Sequence, residues 1–133
     1  GDRGSRADSW PKDGSPAGSD LDLLRRQHLD PYNIEYGILL GQEYRPIPTL
    51  PDADYATALA RAYNDWMIEQ WLEKDQRLKG AAIIATQDPK QAAAEIERVG
   101  QHPDIVGVLV PNGARHPYGQ RFYDPIFDAC VNL

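Results

Sequence analysis

The side chains best suited to chemistry in this sequence lie in one stretch, residues 111–119. Asn112, Arg115, His116 and Tyr118 bring an amide, a guanidinium, an imidazole and a phenol together within a few positions. A guanidinium can pair with a carboxylate through two parallel hydrogen bonds, and the imidazole and phenol can donate others. This stretch therefore predicts recognition of a small carboxylated substrate. The alternative is a solvated loop in which Tyr118 packs on the rim of the fold.

Two glutamines extend this predicted substrate-binding set. Gln42 and Gln87 each follow an apolar segment that predicts a strand. If the strands are parallel, their carboxyl ends lie on one side of the sheet, and both amides belong to the same face as the 111–119 loop. The second interpretation is that both amides cap backbone groups at the strand ends.

The histidines do not predict a metal site within this chain alone. His28 is expected at a helix end, and His102 and His116 in loops after the third helix and the third strand. A catalytic zinc ion needs several protein ligands that converge on one point. We therefore predict no catalytic and no metal-ligating residue here, and we expect the chain taken alone to be inactive.

Composition limits the class of partner. The chain has 133 residues and a formal net charge of −6, and its Lys and Arg residues form no basic stripe. This disfavours nucleic-acid binding, and no apolar run approaches the ~20 residues of a membrane helix. The single cysteine, Cys130, allows no internal disulfide and favours a reducing, cytoplasmic setting. We expect its side chain to be buried.

Strands and helices are predicted to alternate along the chain. Residues 1–18 are poor in apolar side chains and predict an extended arm, in which Trp10 is a candidate anchor; residues 19–133 predict parallel β/α units. The predicted helices are capped by Ser19, Asp88 and Asp124, and the long second helix is predicted to start near Asp52 or Asp54. The predicted strands are 34–40, 78–85 and 105–110, the last of them the most deeply buried.

The long second helix is predicted to run towards Arg77 and to have an apolar inner face. The residues that recur at helical spacing on that face are Tyr55, Leu59, Ala62, Trp66, Met67 and Trp71.

This order of elements fits either a closed (β/α)8 barrel or an open doubly wound sheet. A closed barrel takes about 250 residues. Three parallel strands alone would leave strand edges and helix faces uncovered. Further chain or another subunit is therefore expected to cover them.

Residues 20–133 resemble the amidohydrolase-related family of metal-dependent hydrolases and decarboxylases. The segments that carry the resemblance are Leu29-Asp30-Pro31-Tyr32, Asn64-Asp65-Trp66, Leu78-Lys79-Gly80 with Thr86-Gln87-Asp88-Pro89, and Pro117-Tyr118-Gly119 with Tyr123-Asp124-Pro125-Ile126-Phe127.

The resemblance implies a partial TIM-type (β/α)8 barrel that supplies roughly strands two to four. It also implies a divalent metal (Zn, Mn or Fe) in the full-length enzyme. The family's His-x-His pair is not found in this sequence, so no metal ligand is carried over to any residue of it.

The leading hypothesis is a segment of such an enzyme, acting on a small carboxylated or amide substrate together with the remaining barrel segment or a partner subunit. The second is a non-catalytic subunit or scaffold that forms homo- or hetero-oligomers through its arm and its sheet edges. The third, a flavodoxin-like binding module, lacks a phosphate-binding turn after any strand.

Overall fold

The chain forms a three-stranded sheet, and helices connect its strands along the sequence. The structure is a computed structural model that describes residues 6–41, 44 and 46–133. It divides into two compact units, Gly1–Gly37 and Ile38–Leu133. The predicted division into an arm of residues 1–18 and a barrel segment of residues 19–133 stays a prediction.

The described part of the first unit consists of turns and one short helix. A single 3-10 turn spans Ala7–Ser9, and helix α1 spans Leu21–Leu24 and continues into a π-helical turn, Arg25–Leu29. The predicted cap at Ser19 is wrong by one position, because the Asp20 side chain accepts the hydrogen bond from the backbone N–H of Leu23. Ser19 instead donates its hydroxyl hydrogen to the carbonyl oxygen of Pro16.

The strands are β1 (Gly37–Leu39), β2 (Leu78–Ile83) and β3 (Ile105–Leu109), in the order β1-β2-β3. Strands β2 and β3 are parallel, with Ala82 opposite Val108 and Ile83 opposite Leu109. The predicted α/β class with parallel strands is therefore confirmed. Strand β1 is shorter than the predicted segment 34–40.

Three longer helices connect or follow the strands: α2 (Ala53–Gln70), α3 (Pro89–Val99) and α4 (Asp124–Val131). Asp52 caps α2 and Asp88 caps α3 through side-chain carboxylates that accept backbone N–H groups. The predicted cap at Asp124 is wrong. Asp124 is the first residue of α4, where its negative charge still favours the helix N-terminus.

Helix α2 faces the sheet through a stripe that only partly matches the predicted one: the predicted residues Met67 and Trp71 are buried, but the rest of the stripe is displaced by one residue. Ala56, Ala60, Tyr63 and Met67 are buried, whereas Tyr55 is 60% exposed and Trp66 is 44% exposed. The small side chains of Ala56 and Ala60 permit close packing, which the larger outer residues would prevent. The helix also ends at Gln70, well before Arg77, because Trp71 leaves helical geometry and a 3-10 turn, Leu72–Lys74, follows.

Two burial predictions are wrong. Strand β3 is predicted as the most buried strand, but Val106 is 53% exposed, because β3 lies at the edge of the sheet and β2 at its centre. Cys130 is exposed rather than buried. Helix α4 packs inward through Ile126 and Ala129, and these contact Ile84 and Ile96 in the core.

A buried carboxamide joins helix α2 to the end of the central strand. The Asn64 side chain is fully buried. Its Nδ2 donates to the carbonyl oxygen of Ile83 at 2.9 Å, and its Oδ1 accepts from the backbone N–H of Ile83 at 2.9 Å. The same Nδ2 donates to Glu95 Oε1 at 2.8 Å, which extends the connection to helix α3.

Glu95 is itself held from a second side. Arg98 donates to both oxygens of the Glu95 carboxylate, at 2.8 and 2.7 Å, and also pairs with Asp65 at 2.7 Å. Glu95 is only 5% exposed, so this compensation is needed to offset the loss of its hydration. The polar interior between α2, β2 and α3 is therefore a connected network anchored on Asn64.

We predict that Asn64→Ala lowers the free energy of unfolding by about 3–5 kcal/mol, because it leaves the Ile83 N–H and C=O without their side-chain partner and removes a donor to Glu95. Urea unfolding followed by circular dichroism measures the change. The matched control is Gln70→Ala, at the exposed end of the same helix, with an expected loss of less than ~0.5 kcal/mol. Equal losses in the two variants would contradict the role of the Asn64 network.

Candidate functional site

The carboxyl ends of all three strands open into one cavity. Leu40 directly follows β1, Ile83 ends β2 and Leu109 ends β3, and all three line a cavity of about 240 Å³. Ligand sites in parallel β/α folds lie on this side of the sheet, outside the carboxyl ends of the strands. The described residues that line it are Leu40, Tyr44, Pro48, Ile83, Ile84, Leu109, Val110, Pro111 and Asn112.

The part of the cavity lining that the structure describes is mostly apolar. Seven of the nine described residues that line it are Leu, Ile, Val or Pro, and Tyr44 and Asn112 supply polar groups. Small-molecule sites typically occupy about 300–1,000 Å³ and combine apolar walls with a few polar groups. A volume just below that range suits a single ring with small substituents.

Tyr63 on helix α2 supports the Tyr44 side of the cavity. The two rings lie 4.0 Å apart between centroids, tilted by 41°. The Tyr63 ring also packs directly on Gly41, where an added Cβ would lie 2.6 Å from the ring carbon Cζ. Only glycine allows this approach. Burial raises the pKa of Tyr63 to about 12, with a smaller contribution from Tyr44.

The structure separates the predicted residues of the 111–119 loop. Asn112 lines the cavity, but Arg115 and His116 are exposed to solvent. Arg115 Nη2 donates a long hydrogen bond, 3.4 Å, to the carbonyl oxygen of Pro51. His116 meets Phe122 edge-on, with ring centroids 5.4 Å apart.

Tyr118 packs against the body of the second unit. Its ring lies 4.8 Å from that of Tyr123, which is buried in the core. Its hydroxyl oxygen is buried and has no hydrogen bond of good geometry to any residue that the structure describes. Burial raises the pKa of Tyr118, and the neighbouring Thr86 partly offsets the increase. This arrangement matches the alternative in which Tyr118 packs on the rim of the fold.

The structure describes one of the two predicted glutamines. Gln42 lies outside the described residues. Gln87 Nε2 donates to the carbonyl oxygens of Ile47 at 2.8 Å and Leu50 at 2.9 Å. Its Oε1 is buried and unpaired within the described residues. Substrate binding by Asn112, Arg115, His116, Tyr118, Gln42 and Gln87 stays a prediction.

The sequence patterns missed most of the cavity lining. Tyr44 and Pro48 follow β1 closely, and the only signal for them is their position after a predicted strand. Polar loop residues are the usual candidates for a binding site in a sequence. The walls of this cavity are formed mostly by the last apolar residues of the strands and the residues directly after them.

The described side chains do not fit a metal site. Over residues 6–41, 44 and 46–133, no three His, Cys, Asp or Glu side chains are close enough together to hold one ion.

None of the helices described is long and apolar enough to cross a bilayer.

Comparison with known proteins establishes the family. Residues 5–133 match the family model described as amidohydrolase, and the chain belongs to that family.

Two relatives to which this chain is similar are decarboxylases. The chain is 31% identical to gamma-resorcylate decarboxylase of Rhodococcus jostii over 91 residues, which are 68% of this chain and 27% of the relative. It is 32% identical to the Polaromonas sp. enzyme of the same name over 91 residues, 68% and 28% of the two chains.

Solved structures give the same relationship. The 5-carboxyvanillate decarboxylase of Sphingomonas paucimobilis superimposes with a TM-score of 0.69 and 28% identity, over 83% of this chain and 32% of that one. A 2,6-dihydroxybenzoate decarboxylase complexed with 2,6-dihydroxybenzoate gives a TM-score of 0.70 and 26% identity, over 85% of this chain and 37% of that one. A 5-carboxyvanillate decarboxylase from Novosphingobium aromaticivorans, with bound manganese, gives 0.66 and 29%, over 78% and 30%.

The chain thus spans about a quarter to a third of the length of these relatives. The predicted partial (β/α)8 barrel and the predicted family are confirmed. The predicted assignment to strands two to four stays a prediction.

We predict that Tyr63 makes the chain less stable at alkaline pH. Its pKa is raised to about 12 in the folded state, above the ordinary value of 10, so its stabilising contribution is complete below pH 10 and is lost as the pH rises through 12. Tyr63→Phe should flatten the fall in melting temperature above pH 10. Tyr55→Phe, at an exposed position on the same helix, should leave that fall unchanged. Identical alkaline profiles for Tyr63→Phe and the unsubstituted chain would contradict the assignment.

Proposed function

We propose that this chain is the part of a metal-dependent decarboxylase barrel that forms one wall of the pocket for a small aromatic carboxylic acid. The observation that carries the proposal is the apolar cavity shared by the carboxyl ends of all three strands. Family membership and the decarboxylase relatives support it.

The shape and chemistry of the cavity favour an aromatic ring. Leu40, Ile83 and Leu109 offer apolar surface from three neighbouring strands, which suits the flat face of a ring. Tyr44 and Asn112 supply hydrogen-bonding groups for ring substituents. Two of the structural relatives are named as decarboxylases of a dihydroxybenzoate and of a carboxyvanillate. Both compounds are carboxylated rings with small polar substituents.

In this proposal the chain binds, orients and shields the substrate. Apolar walls exclude water from the ring, and exclusion of water strengthens every electrostatic contact made to the carboxylate. Arg115, near the same end of the sheet, is the candidate partner for that carboxylate on reorientation of its exposed side chain. His116 and Tyr118 are secondary candidates for hydrogen bonds to the substrate.

The metal in this proposal is held by residues outside this chain, since the residues described here do not converge on an ion. The manganese in the Novosphingobium structure supports a divalent metal in the whole enzyme. Whether that metal is zinc, manganese or iron stays a prediction. Hydrolysis in place of decarboxylation, and a cytoplasmic location of the protein, also stay predictions.

A second candidate function is a non-catalytic subunit that assembles through its sheet. Its supporting observation is the exposure of apolar side chains on the two edge strands, 60% for Ile38 and 53% for Val106. Native mass spectrometry distinguishes the candidates. A defined homo- or hetero-oligomer without affinity for aromatic acids would favour the scaffold.

We predict that Val110→Trp fills the cavity and weakens binding of 2,6-dihydroxybenzoate at least about tenfold, because the indole occupies space needed by the ring. Methyl NMR of the Ile and Leu residues, titrated with the acid, measures the dissociation constant. Val106→Trp is the matched control, since Val106 is exposed in β3 and does not line this cavity. An equal loss of affinity in both variants, or no binding by the unsubstituted chain, would contradict the proposed pocket.

A further inference from the structure

Gln87 connects two segments that are far apart in the sequence. Its Nε2 donates to the carbonyl oxygens of Ile47 and Leu50, which precede it by 40 and 37 residues. A carboxamide nitrogen carries two hydrogens, so both donors of Gln87 are committed to this segment. Carbonyl oxygens only accept, and this fixes the orientation of the amide.

The segment that Gln87 holds has little stability of its own. Ile47–Thr49 is one turn of 3-10 helix, closed by hydrogen bonds from Thr49 N to Pro46 O and from Leu50 N to Ile47 O. Such turns are short and their hydrogen-bond geometry is poor. The turn is therefore held in place by contacts from outside it, which include the burial of Ile47 and the two hydrogen bonds from Gln87.

The other contacts to this segment from the same end of the sheet are weaker. Arg115 reaches the Pro51 carbonyl at 3.4 Å in an exposed position, and Thr49 lies 3.9 Å from the position of a Cβ on Gly113. The two bonds from Gln87 are shorter and partly buried. Exposed, long hydrogen bonds contribute little, so the Gln87 amide is the stronger connection.

The position of the turn determines one wall of the cavity. Pro48 is buried in the turn and lines the cavity together with Ile84 and Asn112. Gln87 lies just beyond β2 but is not among the residues that line this cavity. Its effect on the cavity is therefore transmitted through Pro48.

We propose that Gln87 is a positioning residue: its amide fixes the Ile47–Thr49 turn, so that Pro48 forms a wall of the ring-binding cavity. This inference rests on the proposed function, because it takes that cavity to be the substrate pocket. It gives Gln87 a role in pocket shape instead of direct contact with substrate.

The test compares Gln87→Met with the unsubstituted chain by hydrogen exchange and by binding of 2,6-dihydroxybenzoate. Methionine has a similar length and donates no hydrogen bond. We expect exchange of the Thr49 and Leu50 amides to accelerate at least about tenfold, since two hydrogen bonds that hold the turn are lost. We expect affinity for the acid to fall by a similar factor.

Two further variants separate positioning from general destabilisation. Gln91→Met is the matched control, because Gln91 donates to Asp54 and Asp88 and does not contact the turn; it should change neither measurement. Gln87→Lys, whose ammonium group can donate to both carbonyls, should restore most of the protection and affinity. If Gln87→Met loses its native circular dichroism, Gln87→Asn, whose amide is too short to reach both carbonyls, takes its place.

Hydrogen exchange of the turn and binding of the acid, taken together, either support the inference or overturn it. Faster exchange of the turn with weaker binding supports it. Weaker binding with unchanged exchange would show that Gln87 contacts the ligand directly, and faster exchange with unchanged binding would show that Pro48 does not shape the pocket; either result overturns the inference. Absence of binding by the unsubstituted chain refutes the proposed function itself, and the inference fails with it.

Discussion

The Asn64 carboxamide is the interaction on which the arrangement of the second unit depends. It occupies both hydrogen-bonding groups of the Ile83 backbone and also donates to Glu95. One side chain thereby fixes helix α2, the end of strand β2 and helix α3 relative to one another. Buried polar groups are costly when unpaired, so this network accepts only one arrangement of the three elements. The cavity begins at the same place, because Ile83 and Ile84 line it.

Local signals in the sequence were sufficient for the order of elements but not for which helix face is buried. Asp52 and Asp88 mark helix starts because a carboxylate there satisfies free N–H groups, an effect confined to a few neighbouring residues. Helix α2 has apolar residues on two adjacent faces, and periodicity alone favours the larger ones, Tyr55 and Trp66. The buried face is instead set by contacts distant in sequence, in which Asn64 reaches Ile83 and the small Ala60 permits close packing.

The candidate site was predictable in location but not in composition. Parallel strands place their carboxyl ends together, so the end of the sheet at which the cavity lies follows from the alternation of strands and helices. The polar loop residues Arg115 and His116 were the more obvious candidates, yet they are exposed. The cavity is formed mainly by the ends of the strands and the residues just after them. An apolar side chain at such a position is equally consistent with a place in the core and with a place in the cavity wall. The connection from Gln87 to Ile47 spans 40 residues and leaves no local pattern.

The carboxamides of Asn64 and Gln87 fix two different parts of the cavity wall. Asn64 fixes the end of β2 from the helix side, and Gln87 fixes the turn after β1 from the loop side. The walls between them are apolar, and apolar contact discriminates between ligands by only about 1–3 kcal/mol per methylene group. In the proposed function these walls therefore select for ring size and flatness. Discrimination between ring substituents depends on polar lining residues such as Tyr44 and Asn112, because an unpaired buried polar group costs more than a missing apolar contact.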